Sequence, residues 1–491
     1  MSQQTQLPEL DHVGLLRFMW RQLTSMRTAL ILLLLVGIAA IPGSLVPQRT
    51  QNPLQVGQYF KDSPAQARWM DRFYLFDVYG SPWFSAIYIL LFISLIGCVF
   101  PRTLEHFKAA RALPPATPKN LTRLEHHELW SPQGKELELA RAWFKSKRFR
   151  VLEANGSISA EKGFTRETGN LFFHLALILI LLGISFSSLF GMRGEAIVNK
   201  GERFISVPTS YDTLSFGKLV NEDVIDPFII EVEDFQADYD PITAAPRDYT
   251  AIVRVTNPGE VSSEEKILKV NSPLTFGNTR VYLQANGYAP IVTVRDTAGF
   301  VVFQGPVTFL PQDGFLKSIG SIKVPDARPQ LGFVASFLPT YSRSAVDGGI
   351  SLFPEALDPR LLFSIWEGDL GLDSGIPQSV YRIDTSEMSR IALSSLKPGE
   401  TFNFSAGSIT FESFVPWTNL QIVNDPGKEY ALYGAIAAIL GLLASLFGRR
   451  RRIWIRITPS GVVEVAGLAK NGAPGLEEEL NLLTAHMRDE K

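Results

Sequence analysis

The chain has 491 residues, of which 46% are hydrophobic and 20% are charged, with a formal net charge of -2 at pH 7. This balance, without an extended basic stretch interleaved with aromatic residues, argues against a nucleic-acid partner. Because Cys98 is the single cysteine, the sequence excludes an intramolecular disulfide, a CxxC redox pair and a CxxCH haem-attachment site.

Four apolar blocks interrupt a sequence that otherwise resembles ordinary soluble protein. The first, residues 28–46, follows Arg17, Arg21 and Arg27 and contains no ionisable side chain. A helix of about 19 such residues crosses a hydrocarbon layer at 1.5 Å per residue. A signal peptide is the alternative, but the length of the block and the three later blocks favour an uncleaved anchor.

The three later blocks are predicted to span the membrane as well. The second follows an aromatic-rich loop, which is typical of a membrane interface, and its apolar run stops at Pro101-Arg102. Four arginines, Arg449 to Arg452, follow the last block and are interpreted as a topology anchor. The predicted spans are residues 28–46, 83–100, 169–190 and 430–447.

Lysine and arginine beside these blocks accumulate in residues 1–27, 101–168 and 448–491. The positive-inside rule therefore predicts a multi-pass plasma-membrane protein with these segments and both termini in the cytoplasm. The loop 47–82 and the acidic segment 191–429 are then expected outside the cytoplasm.

The cytoplasmic segments carry patterns of secondary structure. Residues 136–149 have helical spacing, and Asn155-Gly156 is the preferred pair for a two-residue hairpin turn, so the loop is predicted to hold a small αββ unit. In the tail, residues 454–457 and 462–465 are predicted to form another hairpin, followed by a short polar helix.

Segment 191–429 alternates apolar and polar residues in short runs separated by Gly, Pro, Asn and Asp. The runs are Phe228 to Val232, Thr250 to Val255, Val281 to Leu283, Ile291 to Val294 and Ser408 to Phe411. We expect an antiparallel β-sandwich or layered β-domain, with residues 345–375 as an excursion from the sheets. The predicted fold class is an α+β membrane protein with four transmembrane helices, a large extracytoplasmic β-domain and the cytoplasmic αββ unit.

His174 lies about five residues into the third block and is the only histidine at predicted membrane depth. A titratable side chain in a spanning helix is by default a functional-site hypothesis. Neutral imidazole supplies a nitrogen ligand suited to haem iron in an apolar cavity. A histidine that packs between helices and bonds to a carbonyl or serine is the alternative.

The remaining candidate residues are expected to have structural or incidental roles. Cys98 is expected to be an apolar packing residue rather than a reactive thiol. No nucleotide-binding loop, HExxH, GxSxG or dinucleotide motif is present, so no catalytic residue is predicted. The histidines given structural, solvated or incidental roles are His12, His106, His126, His127 and His486.

Short motifs in order along the chain resemble the ResB family. They cover almost its whole length, although residues 300–400 add little to the match. The motifs are Gly43 to Gln48, Asp77-Val78-Tyr79, Trp83-Phe84, Cys98 to Arg102, Gly169 to Leu177, Gly201 to Phe204, Asn286 to Pro290, Asp425-Pro426-Gly427 and Arg452-Ile453-Trp454.

The resemblance implies a role in System II cytochrome c biogenesis, in which a ResB-like subunit and a ResC or CcsA-type membrane partner bring haem b to apocytochrome c. It implies that His174 supplies one axial ligand to the haem iron. The partner's tryptophan-rich segment is missing here, so this chain is expected to be a subunit of a holocytochrome c synthase complex without catalytic activity alone. A non-haem scaffold or apocytochrome chaperone is the alternative, and a membrane sensor has less support.

Overall fold

The computed structural model describes residues 11–49, 53–260, 262–344, 348–372, 380–469 and 475–488. They separate into two compact units, one formed by the chain up to Ser185 and from Lys428 onward, the other by Phe186–Gly427. We call them the helical unit and the β unit.

Nine α-helices are found in the described residues. Four of them, with mean hydropathy between 2.0 and 2.3, are long and apolar enough to cross a membrane: α2, α5, α7 and α8. This confirms the four predicted apolar helices. The helices are α1 His12–Leu23, α2 Met26–Leu45, α3 Pro53–Asp62, α4 Pro64–Arg72, α5 Pro82–Arg111, α6 Glu136–Ser146, α7 Thr165–Phe190, α8 Lys428–Phe447 and α9 Leu476–Arg488.

Helix α5 continues beyond its apolar run, through Pro101 to Arg111. The predicted span, residues 83–100, is therefore part of a longer helix. One proline removes a single backbone hydrogen bond, and the residues after it are rich in Leu, Glu, Lys, Ala and Arg, which favour a helix. Helix α7 likewise begins at Thr165, before the apolar block, with Glu167 in its first turn. A carboxylate there interacts favourably with the helix dipole.

The loop between α2 and α5 contains the short helices α3 and α4. Gln48, at the start of this loop, is buried and accepts a hydrogen bond from the Val78 N–H at 2.9 Å. Its side-chain amide donates to the carbonyls of Val46 and Leu75. These bonds tie the end of α2 to the residues that lead into α5.

The strands of both units are antiparallel in all their ladders, as the alternating pattern predicts. In chain order they are β1 His126–Trp130, β2 Arg150–Ala154, β3 Ser157–Lys162, β4 Met192–Asn199, β5 Arg203–Ile205, β6 Thr213–Phe216, β7 Ile229–Tyr239, β8 Pro246–Thr256, β9 Glu264–Lys269, β10 Leu274–Phe276, β11 Thr279–Arg295, β12 Val301–Pro306, β13 Leu310–Pro311, β14 Ser318–Val324, β15 Leu331–Leu338, β16 Tyr341–Ser344, β17 Gly348–Ser351, β18 Arg360–Glu367, β19 Ser389–Leu396, β20 Thr401–Phe404, β21 Gly407–Asn424, β22 Arg451–Ile457 and β23 Val463–Ala469.

The predicted αββ unit is part of a larger domain within the helical unit. The hairpin turn is as expected, since Asn155 and Gly156 both have positive φ and join β2 to β3. However, the hairpin pairs with the tail hairpin in a sheet of order β1-β23-β22-β3-β2. An isolated hairpin is marginally stable in water and leaves its edges open, which explains why the two hairpins combine.

Helices α6 and α9 contribute the apolar residues that cover this sheet. Trp143 and Phe144 of α6 pack with Ile453 and Ile455 of β22 in one buried cluster. Helix α9 is amphipathic rather than simply polar, because Leu480 and its apolar neighbours join the same cluster. The sheet, α6 and α9 therefore share a core, which we call the loop–tail domain.

In the β unit, the two long strands β11 and β21 pair along their whole length, from Thr279↔Asn424 to Arg295↔Ser408. The apolar runs 281–283 and 291–294, expected as separate strands, are thus two parts of β11. One end of this ladder belongs to a buried cluster with the sheet β5-β7-β8-β9, and the other end to a second cluster with the sheet β13-β14-β15-β18-β19. The layered antiparallel arrangement was predicted.

One part of the β unit contradicts the sequence interpretation. Residues 345–375 were expected to leave the sheets, but β18 lies within them, between β15 and β19. Its residues Leu361, Phe363 and Ile365 alternate inward and are fully buried. Two portions of the range, 345–347 and 373–375, lie outside the described residues.

Candidate functional site

His174 lies ten residues into α7 and is half-buried. Its ring stands at 87° to the Phe173 ring, with 5.3 Å between the ring centroids. No other described histidine lies within the apolar part of α2, α5, α7 or α8, because His106 follows Arg102 on the polar extension of α5. The described structure thus leaves His174 as the single imidazole in the apolar helices.

The hydrogen bond of His174 defines which ring nitrogen is available. Its Nδ1 lies 2.7 Å from the carbonyl oxygen of Asn170, one helical turn earlier. A carbonyl only accepts, so Nδ1 carries the proton and neutral imidazole keeps a lone pair on Nε2. No residue in the described ranges forms a hydrogen bond with Nε2. This is the arrangement in which a backbone carbonyl fixes the tautomer of a metal-binding histidine.

The side of α7 that carries His174 is the side that contacts α5. Residues seven apart lie almost above one another on a helix, so Glu167, His174 and Leu181 form one line with about 10 Å between successive members. The Tyr88 hydroxyl of α5 donates to the Leu181 carbonyl at 2.7 Å. His106 of α5 lies 3.8 Å from Glu167. His174 lies between these two contact levels.

Glycines fix α7 against α8 on its opposite side. A Cβ atom added to Gly169 would lie 2.5 Å from the Ser445 nitrogen, and one added to Gly441 would lie 2.6 Å from the Phe173 nitrogen. Small residues permit such close backbone approach between membrane helices. His174 follows Phe173 directly, so this contact positions the backbone that carries the imidazole.

We predict that Gly441→Leu destabilises the α7–α8 packing by about 1–3 kcal/mol, the range for overpacked sites. Ala176 of α7 and Ala438 of α8 are both buried. The measurement is the yield of a disulfide between cysteines that replace them, in the full chain with Cys98→Ala, and this yield should fall in Gly441→Leu. Gly37→Leu in α2 is the matched control, because no atom lies within 4 Å of a Cβ added there. Equal crosslinking yields for the two leucine variants would contradict the packing role.

His106 has a structural environment that the sequence did not reveal. Its side chain is only 8% exposed, and its Nε2 lies 2.8 Å from the Thr168 hydroxyl of α7. The contact arises because α5 continues past Pro101, so the expected structural role has a specific partner. The sequence signal was the helix-favouring composition after that proline.

An ion-pair network joins the loop–tail domain to the first turn of α7. Glu161 of β3 is buried and accepts from Arg450 and Arg452, at 2.8 and 2.7 Å. Arg450 also contacts Glu167 at 2.9 Å. Burial acts to raise the pKa of Glu161, but the hydrogen bonds and charges of the two arginines outweigh it, so the pKa lies below its ordinary value.

The other sequence candidates stay apart from His174. His126 and His127 were expected in a solvated loop, but they lie on β1, where adjacent side chains point to opposite faces. Cys98 is a free, half-buried thiol on α5. Within the described ranges, no group of three or more His, Cys, Asp or Glu side chains could hold a metal ion. One imidazole is enough for an axial ligand of haem iron, because the porphyrin supplies the four in-plane nitrogens.

A sequence model of the ResB-like family matches residues 26–481. The chain belongs to this family. The match begins at the first residue of α2 and extends into α9, so it includes both units and His174. Helix α1 lies outside the matched residues.

Several proteins named cytochrome c biogenesis protein CcsB are similar to this ResB-like chain over nearly their full lengths. The protein of Prochlorococcus marinus is 24% identical over 94% of this chain and 97% of its own length. That of Gloeobacter violaceus is 24% identical over 94% and 90%, and that of Microcystis aeruginosa is 23% identical over 88% and 87%. The similarity therefore extends over most of this chain and is not confined to the apolar helices or to the β unit.

Proposed function

We propose that this ResB-like chain acts in System II cytochrome c biogenesis, as the subunit of a membrane complex that moves haem outward and presents it for covalent attachment to apocytochrome c. The observation that carries the proposal is His174, whose Nε2 keeps a lone pair in an apolar helix of a ResB-family chain. The names of the CcsB relatives support the pathway.

The topology proposed with this function places both termini and the loop–tail domain in the cytoplasm. The clustered arginines after α8 and the basic approach to α7 support this orientation through the positive-inside rule. The β unit would then face the extracytoplasmic side, where apocytochrome c is completed. Docking or chaperoning of the apocytochrome is the role proposed for it.

Haem b is the transported substrate in this proposal. His174 would supply one axial nitrogen to its iron, and a ResC or CcsA-type partner would supply the second ligand. Each thioether forms when a reduced thiol of the apocytochrome CxxCH motif adds its S–H across a haem vinyl group, so no external oxidant is consumed. The chain's contribution is position and protection, because the chemistry belongs largely to the haem.

Loss of the gene is expected to abolish covalently attached cytochrome c, detected by haem staining after denaturing electrophoresis. Restoring the wild-type gene should return the stained bands. If all c-type cytochromes persist in the deletion strain while a transcriptional response is lost, the membrane-sensor alternative gains support and the biogenesis role fails.

A non-haem scaffold is the second candidate. In that case the His174 imidazole would contribute only packing and its bond to the Asn170 carbonyl. A pyridine haemochrome spectrum of the complex, purified with its partner, separates the candidates: we expect stoichiometric haem, whereas a well-folded complex without haem would favour the scaffold.

A further inference from the structure

Helix α1 exposes apolar side chains on much of its surface. None of its residues is buried. Six large apolar side chains are between 45% and 66% exposed, namely Val13, Leu15, Leu16, Phe18, Met19 and Trp20. A water-facing helix would not present so much contiguous apolar surface, which normally marks an interaction site.

The two arginines of α1 lie together on one side of the helix. At 100° per residue, Leu16, Trp20 and Leu23 lie close together, whereas Arg17 and Arg21 fall on the flank and far side. The helix is thus amphipathic, with a cationic side. An apolar face together with arginines on the polar face is the pattern of helices that lie in a membrane interface.

Contacts with α5 place the end of α1 beside apolar sequence. The hydroxyl of buried Ser94 donates to the Leu23 carbonyl at 2.6 Å. A Cβ atom added to Gly97 would overlap the Thr24 side chain. Gly97 and Ser94 precede Arg102 by five and eight residues, or about 7 and 12 Å along the helix axis. The end of α1 therefore lies alongside the apolar part of α5 and not beyond its charged end.

The charge of this region complements an anionic surface. Besides His12, the ionisable residues of α1 and the start of α2 are Arg17, Arg21 and Arg27, and the next acidic residue after Asp11 is Asp62. Arginines close to an anionic membrane each add about 1 kcal/mol of attraction. Long arginine side chains reach headgroups while their stems stay in an apolar layer.

We propose that α1 lies in the plane of the membrane. It binds the anionic phospholipids of the leaflet that contains the start of α2 and the end of the apolar part of α5. The side that carries Leu16, Trp20 and Leu23 lies among the acyl chains, and Arg17 and Arg21 contact the headgroup phosphates. The break at Thr24-Ser25, where the Ser25 hydroxyl accepts from the Thr28 N–H and caps α2, separates this helix from the spanning one. This function is independent of haem binding.

The first test measures where α1 lies. Spin labels are attached to single cysteines at positions 16, 21 and 34 of the full chain with Cys98→Ala, in phosphatidylcholine vesicles with or without phosphatidylglycerol. Leu34 of α2 is highly exposed and serves as the acyl-chain reference. The label at Leu16→Cys should be more accessible to oxygen than to a water-soluble nickel chelate, as at Leu34→Cys. The label at Arg21→Cys should show the reverse preference.

Preference for the nickel chelate at Leu16→Cys would overturn the proposal, because α1 would then lie in water. Exclusion of both reagents would overturn it too, since a protein surface, either a second copy or another chain, would then cover the apolar side. Both results are readable without haem or the partner subunit, so they do not depend on the proposed biogenesis role.

The second test addresses the lipid charge. A fluorophore at Leu16→Cys should be quenched more strongly by nitroxide-labelled phosphatidylglycerol than by the phosphatidylcholine analogue. Arg17→Gln and Arg21→Gln should each reduce this preference about fivefold. Arg68→Gln in α4 is the control and should leave the preference unchanged. Equal quenching by the two lipids, or no effect of Arg17→Gln and Arg21→Gln, would overturn anionic-lipid binding.

Discussion

His174→Gly is expected to remove most of the haem from the complex purified with its partner, and imidazole added during purification should restore it. The variant deletes one axial nitrogen, while free imidazole can occupy the vacated volume and coordinate iron in its place. Removing an outer-shell partner alone typically costs about 10- to 100-fold in metal affinity, so loss of the ligand itself should exceed that range. The measurement is haem per complex from the pyridine haemochrome spectrum.

Leu175→Ala is the matched control because it shortens the adjacent, more exposed side chain of α7 without touching the imidazole. It should retain haem with an unchanged spectrum. A His174→Gly complex that keeps its full haem content would remove the ligand assignment, and so would haem loss that imidazole does not reverse in a complex that remains assembled.

The ligand hypothesis could be formed from the sequence, but its atomic form could not. An imidazole about five residues into an apolar block is visible in the sequence, since polar groups at membrane depth are rare. The tautomer depends on the hydrogen bond between Nδ1 and the Asn170 carbonyl. Every helix places a carbonyl one turn before a histidine, but the hydrogen bond forms only if the histidine rotamer reaches it. Only the three-dimensional structure distinguishes a lone pair on Nε2 from one on Nδ1.

The fold was predictable where the signal is local. The apolar helices and the Asn155-Gly156 turn each depend on a few adjacent residues, and both are as expected. The pairing of β3 with β22 was not predictable, because it joins segments separated by most of the chain. Strand β18 was missed because loop residues around it concealed three inward-facing apolar positions.

Glu161→Gln is the second substitution with a large expected effect, on the loop–tail domain. The Glu161 side chain is 2% exposed, and it also lies 3.1 Å from Arg150. Removing one member of a buried ion pair typically costs about 3–5 kcal/mol, because the opposite charge is left uncompensated. Arg450 keeps Glu167, whereas Arg452 forms no other ion pair within the described ranges.

Hydrogen exchange of the peptides covering residues 150–162 and 451–457, measured in the full chain, should therefore accelerate at least 100-fold at neutral pH. Glu153→Gln is the control, since Glu153 pairs with Arg141 on the surface and such pairs contribute about 0–1 kcal/mol. If Glu161→Gln exchanges no faster than Glu153→Gln, the buried pair does not hold the hairpins together.

The pH dependence gives a separate check with a defined sign. The pKa of Glu161 is lower in the folded chain than its ordinary value of 4.5, so the carboxylate stabilises the fold fully above that value. This contribution decreases as the pH falls through the depressed pKa and the group binds a proton. As the pH falls through the depressed pKa, the hydrogen-exchange protection factors of the wild-type peptides should decrease. Those of Glu161→Gln should not show this decrease.

Adding Arg452→Gln to Glu161→Gln should recover part of the lost protection, because the cost comes from an unpaired guanidinium rather than from the missing carboxylate.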